Sequence, residues 1–192
     1  MSTSPSEYYD EERWSNWLDR LRDEDIDPED EESARLLLNL QDDTAIAIVK
    51  IVADYDEGEL GEDPALEELA TVRDIVLSEV DFDDEEKLML IDGVQTSLVC
   101  VFYAAEEYIA AGPPEEGTVE EYIRAAADAE AEEDLDAALA NCARAGTLLF
   151  AGESLDMGVA EDIEYGLVAE WVNGLDSLGT ALADPEVIDE DE

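Results

Sequence analysis

The residues of this chain best able to do chemistry are carboxylates. Asp and Glu number 56 among 192 residues, against nine Lys and Arg and no His, for a formal net charge of −47. Calcium coordination, a carboxylate-bridged metal pair and acid–base catalysis all use such groups, and each demands a particular spacing. A helix–loop–helix calcium loop takes oxygen ligands at positions 1, 3 and 5, Gly at 6 for the sharp turn and Glu at 12. Asp23, Asp25 and Asp27 match the first three, but Pro28 and Ala34 stand where Gly and Glu are needed. Asp81, Asp83 and Glu85 match in the same way and fail at Glu86 and Asp92. A bridged metal pair in a helical bundle places Glu on facing helices and a Glu-x-x-His motif on two of them. Without His, only an all-carboxylate version is open: Glu106 and Glu107 follow the buried face of the central helix and Glu164 and Glu170 lie on the last, but nothing selects these acids from the other 52. Such a carboxylate-ligated metal-binding bundle is the enzyme alternative. Acid–base catalysis loses its commonest base with His, and no GxSxG elbow, Walker-type loop or GxGxxG loop is present. No catalytic residue, metal-ligand set or cofactor emerges. The expectation is a non-enzymatic protein-interaction or regulatory module.

The other chemistry a sequence can show is recognition. Tyr8, Tyr9, Trp14 and Trp17 crowd the start of the chain and include two of its three Trp. Trp14, Trp17, Leu18 and Leu21 fall on one helical stripe, flanked by Arg13, Arg20 and Arg22. Trp, Tyr and Arg are the types enriched at interface hot spots. Arg13, Trp14, Trp17, Arg20 and Leu21 are therefore candidate partner-binding residues, for a protein partner or a second copy of the chain. The competing reading is a terminal helix docked on its own bundle. Gln95, Thr96 and Ser97 interrupt an apolar run, and Gln95 is either a ligand contact or a side chain hydrogen-bonded to a neighbouring helix. Cys100 and Cys142 lie in apolar stretches without a CxxC motif and read as reduced, buried thiols.

The acidity itself has two explanations, a basic partner or the solvent. Acids are spread over nearly every segment, whereas an interaction tail would concentrate them. At ordinary ionic strength such charge opposes the compact state. At about 1 M salt the Debye length falls to roughly 3 Å and the repulsion is screened. Adaptation to high salt is the expectation. Nucleic acid is disfavoured as a partner, because the few cations are isolated among carboxylates. The N-terminus lacks a signal-peptide pattern. The most apolar run, residues 94–105, reads as too short and too polar to span a bilayer. The expected location is the cytoplasm, with no membrane partner.

The elements that must position these groups are helices. Ser4-Pro5-Ser6-Glu7, Asp27-Pro28, Asp63-Pro64, Asp83 with Glu86 and Thr118 with Glu121 read as N-caps or capping boxes. Each precedes an apolar pattern of period near 3.6. Helices are predicted over residues 5–23, 28–56 with a break near 39–43, 64–80, 84–111, 119–132, 135–151 and 159–183. The segment 84–111 is the predicted centre, with Ile91, Val94, Leu98, Val101, Phe102, Ala105 and Ile109 on one face and Leu90, Val99 and Tyr103 covering much of the rest. Short connections predict an all-α, compact antiparallel bundle of six to seven helices in one domain over residues 1–183. Within it stand an N-terminal aromatic helix (5–23), an acidic linker (23–32) and a helical core (33–183), followed by an acidic disordered tail (184–192). One stretch, Tyr122 to Ala151, has the small-residue spacing of a helical repeat unit, but a single copy makes no array.

The strings RWSNWLDR (Arg13 to Arg20), DEDIDPEDEESARLLLNLQDD (Asp23 to Asp43), LIDGVQTSLVCVFYAAEEY (Leu90 to Tyr108) and EYGLVAEWVNGLDSLG (Glu164 to Gly179) resemble the domain of unknown function 2150 family of haloarchaeal proteins. The resemblance covers nearly the whole chain. It implies a halophilic source and a single-domain family without an assigned activity, and it carries over no catalytic residue.

Overall fold

Capping and amphipathic period build eight helices among the described residues, and no strand occurs among them: α1 Glu11–Asp23, α2 Glu31–Asp56, α3 Glu62–Val76, α4 Glu85–Ala110, α5 Val119–Ala131, α6 Leu135–Phe150, α7 Gly158–Glu161 and α8 Leu167–Ala183. The computed structural model describes residues 9, 11–23, 27, 29–156, 158–163 and 166–183. The predicted cap at Ser4 to Glu7, residues 5–8 and 10 of the first helix, Pro28 and the tail 184–192 lie outside that set. The fold is an all-α bundle, as the periodicity indicates. α4 lies at its centre, with α2, α3, α6 and α8 packed around it. α5 pairs with α6 and touches α8, while α1 leans on α3.

Ile91, Val94, Leu98, Val101, Phe102, Ala105 and Ile109 are all buried on α4. Tyr103 departs from expectation. It is 48% exposed. By length and composition α4 would also pass as a bilayer span, although much of it is buried in the bundle. That corrects the reading of residues 94–105 as too short and too polar. A core helix wrapped by amphipathic neighbours carries the same all-round apolarity.

Several helix boundaries differ from the predicted ones for local reasons. α2 is capped by Asp30, whose carboxylate accepts the Glu32 N–H at 3.4 Å. Asp27 instead closes a turn by accepting from Glu29 at 2.9 Å. α2 also runs unbroken through 39–43. Its polar residues there are satisfied inside the bundle: Gln41 donates to Ser177 Oγ at 2.8 Å and to the Asn173 carbonyl at 3.2 Å, and the Thr44 hydroxyl returns to the Leu40 carbonyl. α3 starts from Gly61, so Asp63 and Pro64 fall in its first turn, where a missing N–H removes no bond. α4 is capped by Asp84, not Asp83, through the Glu86 N–H at 2.9 Å. The Thr118–Glu121 capping box forms in both directions, each bond 3.1 Å.

The predicted last helix, 159–183, is two helices. α8 begins anew at Leu167 because a carboxylate from α5 occupies its start. Glu130 Oε2 accepts the Leu167 N–H at 2.7 Å and the Val168 N–H at 3.3 Å. First-turn amides have no partner within their own helix, so Glu130 caps α8 from another element. A Cβ on Gly166 would lie 2.7 Å from the other Glu130 oxygen.

Two glycines set how closely the helices cross. A Cβ on Gly174 of α8 would overlap the Ser97 carbonyl of α4. One on Gly146 of α6 would overlap the Cβ of Ala104 on α4. α6 and α8 therefore meet α4 almost backbone to backbone.

Candidate functional site

The residues singled out for recognition lie on α1. Trp14 and Leu21 are 5% and 2% exposed, Leu18 is buried with them, and Trp17 is partly buried against the same core. A partner reaching Trp14 or Leu21 would have to replace the chain's own packing. Several polar side chains of α1 are also engaged, although the buried Trp14 Nε1 has no hydrogen-bond partner among the described residues. Arg13 pairs with Asp43 of α2, with Nε 2.8 Å from Oδ2, and Trp17 Nε1 donates to the same Oδ2 at 2.9 Å. Arg13 stacks over the Tyr9 ring, Arg20 over Trp17 at 5.0 Å, and Arg22 over Phe82 at 5.0 Å. Arg22 donates to the Asp81 carbonyl, and Lys87 to the carbonyl of Arg22. Asp43 is thus the hub of the α1 attachment. Replacing it by Ala removes one carboxylate from two donors and should cost about 2 kcal/mol. The measurement is thermal melting in high KCl. An unchanged midpoint would show that Asp43 does not hold α1.

Gln95 spans from α4 to the end of α3, donating to the carbonyls of Val76 and Ser78 at 2.9 Å each. Both protons of its amide are used within the bundle. Cys100 and Cys142 are free and buried. Burial and the neighbouring Cys142 thiol push Cys100 well above the usual thiol range, which keeps it protonated and unreactive.

Of the carboxylates named as metal candidates, Glu106 pairs with Arg73 of α3, Glu107 lies one residue along α4, Glu170 is on α8, and Glu164 lies outside the described residues. No group of three or more His, Cys, Asp or Glu able to hold a metal ion occurs among the described residues. Burial pushes the Glu106 carboxyl up, with Arg73 pulling it part of the way back. Burial likewise raises Asp42, opposed by a hydrogen bond with Ser177. A carboxyl raised in the folded state holds its proton to higher pH than it does in the unfolded chain. Stability therefore falls as pH rises through the interval between the unfolded and folded values, and it rises when pH is lowered through that interval. Melting points at fixed KCl should increase as pH is lowered to just above the ordinary carboxylate range. A monotonic fall over that range would contradict these two assignments.

A concave feature of the described surface lies between α4 and α6. Tyr103, Glu106, Glu107 and Ala110 of α4 face Asp136, Leu139, Ala140 and Ala143 of α6 across a groove of about 500 Å³. Each helix contributes residues at i, i+3, i+4 and i+7, one complete stripe over two turns. The Thr118 capping box starts the α5–α6 hairpin. Asp134 then caps α6 by accepting the Ala137 N–H at 3.1 Å, which presents Leu135 and Asp136 in the first turn of α6. Tyr103 and Leu135, 48% and 45% exposed, are among the large apolar side chains of the described residues left open to solvent, as are Leu38 and Met89. Three carboxylates line the groove and no cation does. Sequence reasoning passed over it. Its signals were an apolar Tyr on the outer face of a core helix and a run of Ala on α6, and neither has meaning until the two helices are set side by side.

The fold and this groove define a class: an all-α bundle with an acidic surface and an open two-helix groove. The chain belongs to the family described as uncharacterized protein conserved in archaea (DUF2150), which matches residues 7–191. No curated protein and no solved structure matches it.

Proposed function

We propose that the protein is a non-enzymatic interaction module of a salt-rich cytoplasm, which seats a segment of a partner in the α4–α6 groove. The observation that carries this reading is the pair of matching stripes, with half-exposed Tyr103 at one wall, on a surface otherwise dominated by carboxylates. Exposed aromatic and aliphatic side chains gathered in a concave site, rimmed by polar groups, are the usual mark of an interface. In this reading α1 serves the bundle. Its aromatic stripe is turned inward and its arginines are held by Asp43, Trp17 and Phe82.

The test uses the full chain as bait in an extract of an archaeon that carries the family, kept above about 1 M KCl so that surface repulsion stays screened. Ala140 lies exposed on the groove floor, and Ala140→Arg fills the groove without entering the core. A protein retained by the native bait and lost with Ala140→Arg supports the reading. Equal capture by both baits overturns it. Stoichiometric iron, manganese or zinc in protein purified at high salt would overturn it in favour of the carboxylate-metal alternative.

A further inference from the structure

We infer that the occupant of the α4–α6 groove is an amphipathic helix of another protein, with Lys or Arg flanking its apolar stripe. This rests on the groove reading above and names the partner by its chemistry.

The shape selects a helix. Two facing stripes, each with i, i+3, i+4, i+7 spacing, leave holes that recur with the helical period. Side chains projected every three to four residues fill them, whereas the period of two of a strand does not. An extended segment gains most of its affinity by pairing with a free sheet edge, and no strand exists among the described residues to offer one. The stripes run about 10 Å along each helix axis, enough for an anchor set at i, i+3, i+4 and i+7. Ala140 and Ala143 are small, so the floor has room for large apolar anchors between Tyr103 and Leu139.

Charge selects the flanks. Glu106 already has Arg73. Glu107 and Asp136 line the groove with no cation beside them there. A docked helix takes these two carboxylates partly out of water. That costs free energy unless the incoming residues pair with them, and an acidic helix adds like-charge repulsion. At high salt, steering over distance is lost because the Debye length is only about 3 Å, so discrimination rests on pairs in direct contact. A second copy of this chain is a poor source of the helix. It has nine cations against 56 acids, and in its one arginine-rich helix Arg13 is held by Asp43, Arg20 stacks on Trp17 and Arg22 stacks on Phe82.

The probes are three synthetic helical peptides of about five turns, or about 18 residues, sharing one Leu stripe and carrying Lys, Gln or Glu on its flanks. Each is titrated by fluorescence anisotropy against the full chain, in the lowest KCl concentration that retains its full helical circular dichroism. The Lys peptide should bind about fivefold or more tightly than the Gln peptide, as two direct ion pairs allow, and the Glu peptide weakest. Ala140→Arg should abolish binding of the Lys peptide. The double variant Glu107→Gln with Asp136→Asn should lower the Lys peptide to the affinity of the Gln peptide and leave the Gln peptide unchanged. Neither loss of folding nor diffuse attraction to the acidic surface would produce that selective pattern. Equal binding of all three peptides, no binding of any, or indifference of the Lys peptide to these variants overturns the inference. If the peptides fail while Ala140→Arg still strips the captured partner, the cationic helix is overturned and the groove reading stands. If Ala140→Arg leaves capture unchanged, the groove reading itself falls.

Discussion

Gly174→Val should destabilise the protein by about 3 kcal/mol or more, the upper end of what overpacking costs. For a chain of this size that is a fall of about 10 °C in melting temperature. The physical cause is specific. A Cβ at Gly174 would run into a main-chain oxygen, the Ser97 carbonyl, with Val101 Cγ2 3.3 Å away. A side chain could turn aside, but the backbone of a central helix packed on several sides cannot. Gly179 provides the control in the same helix. Nothing lies within 4 Å of a Cβ built there, so Gly179→Ala only removes backbone freedom from the unfolded chain. It should raise stability by about 0.5–1 kcal/mol. Opposite signs from two glycines of α8, read by thermal melting in high KCl, would establish the close α4–α8 crossing. A Gly174→Val protein that melts like the parent would show that the two helices do not meet so closely.

Dialysis from multimolar KCl into dilute buffer should abolish the cooperative fold, seen as loss of helical circular dichroism, and returning the salt should restore it. The net charge of −47 has little internal relief. The ion pairs among the described residues include Arg13–Asp43, Arg22–Asp19, Arg73–Glu106 and Arg124 with Glu120 and Asp162, most of them exposed and each worth little. At about 0.01 M salt the Debye length is roughly 30 Å, so carboxylates across the whole molecule repel one another. At about 1 M only near neighbours do. Retention of full helicity and a cooperative melt in dilute buffer would overturn the salt adaptation on which this prediction depends.

Much of the architecture was legible because helical period and burial coincide. Ile91, Val94, Leu98, Val101, Phe102, Ala105 and Ile109 recur at the spacing of one helical face, and that face is the core. Helix ends were less legible where acids sit in rows. Asp83 and Asp84 can each cap, and only the final geometry chooses Asp84. The break before α8 was illegible, since the group that caps it, Glu130, lies far away in sequence. The groove failed for a related reason. Tyr103 looked like part of an all-round apolar helix. Its exposure depends on where α6 crosses α4, and that crossing depends on the contact of Gly146 with Ala104. The aromatic stripe of α1 was readable as a stripe, but its direction was not, because inward-facing and partner-facing stripes have the same spacing.

The carboxylate of Glu130 also makes the start of one helix depend on another. The first amides of α8, at Leu167 and Val168, acquire their acceptor only once α5 is seated beside them. The first turn of the final helix is therefore satisfied only where the bundle brings α5 beside it, from a residue 37 positions earlier in the chain. The same dependence governs opening of the native state. Hydrogen exchange at these two amides reports separation of α5 from α8 and not simple fraying of a helix end, so they serve as built-in markers for the cooperative unit that joins the two.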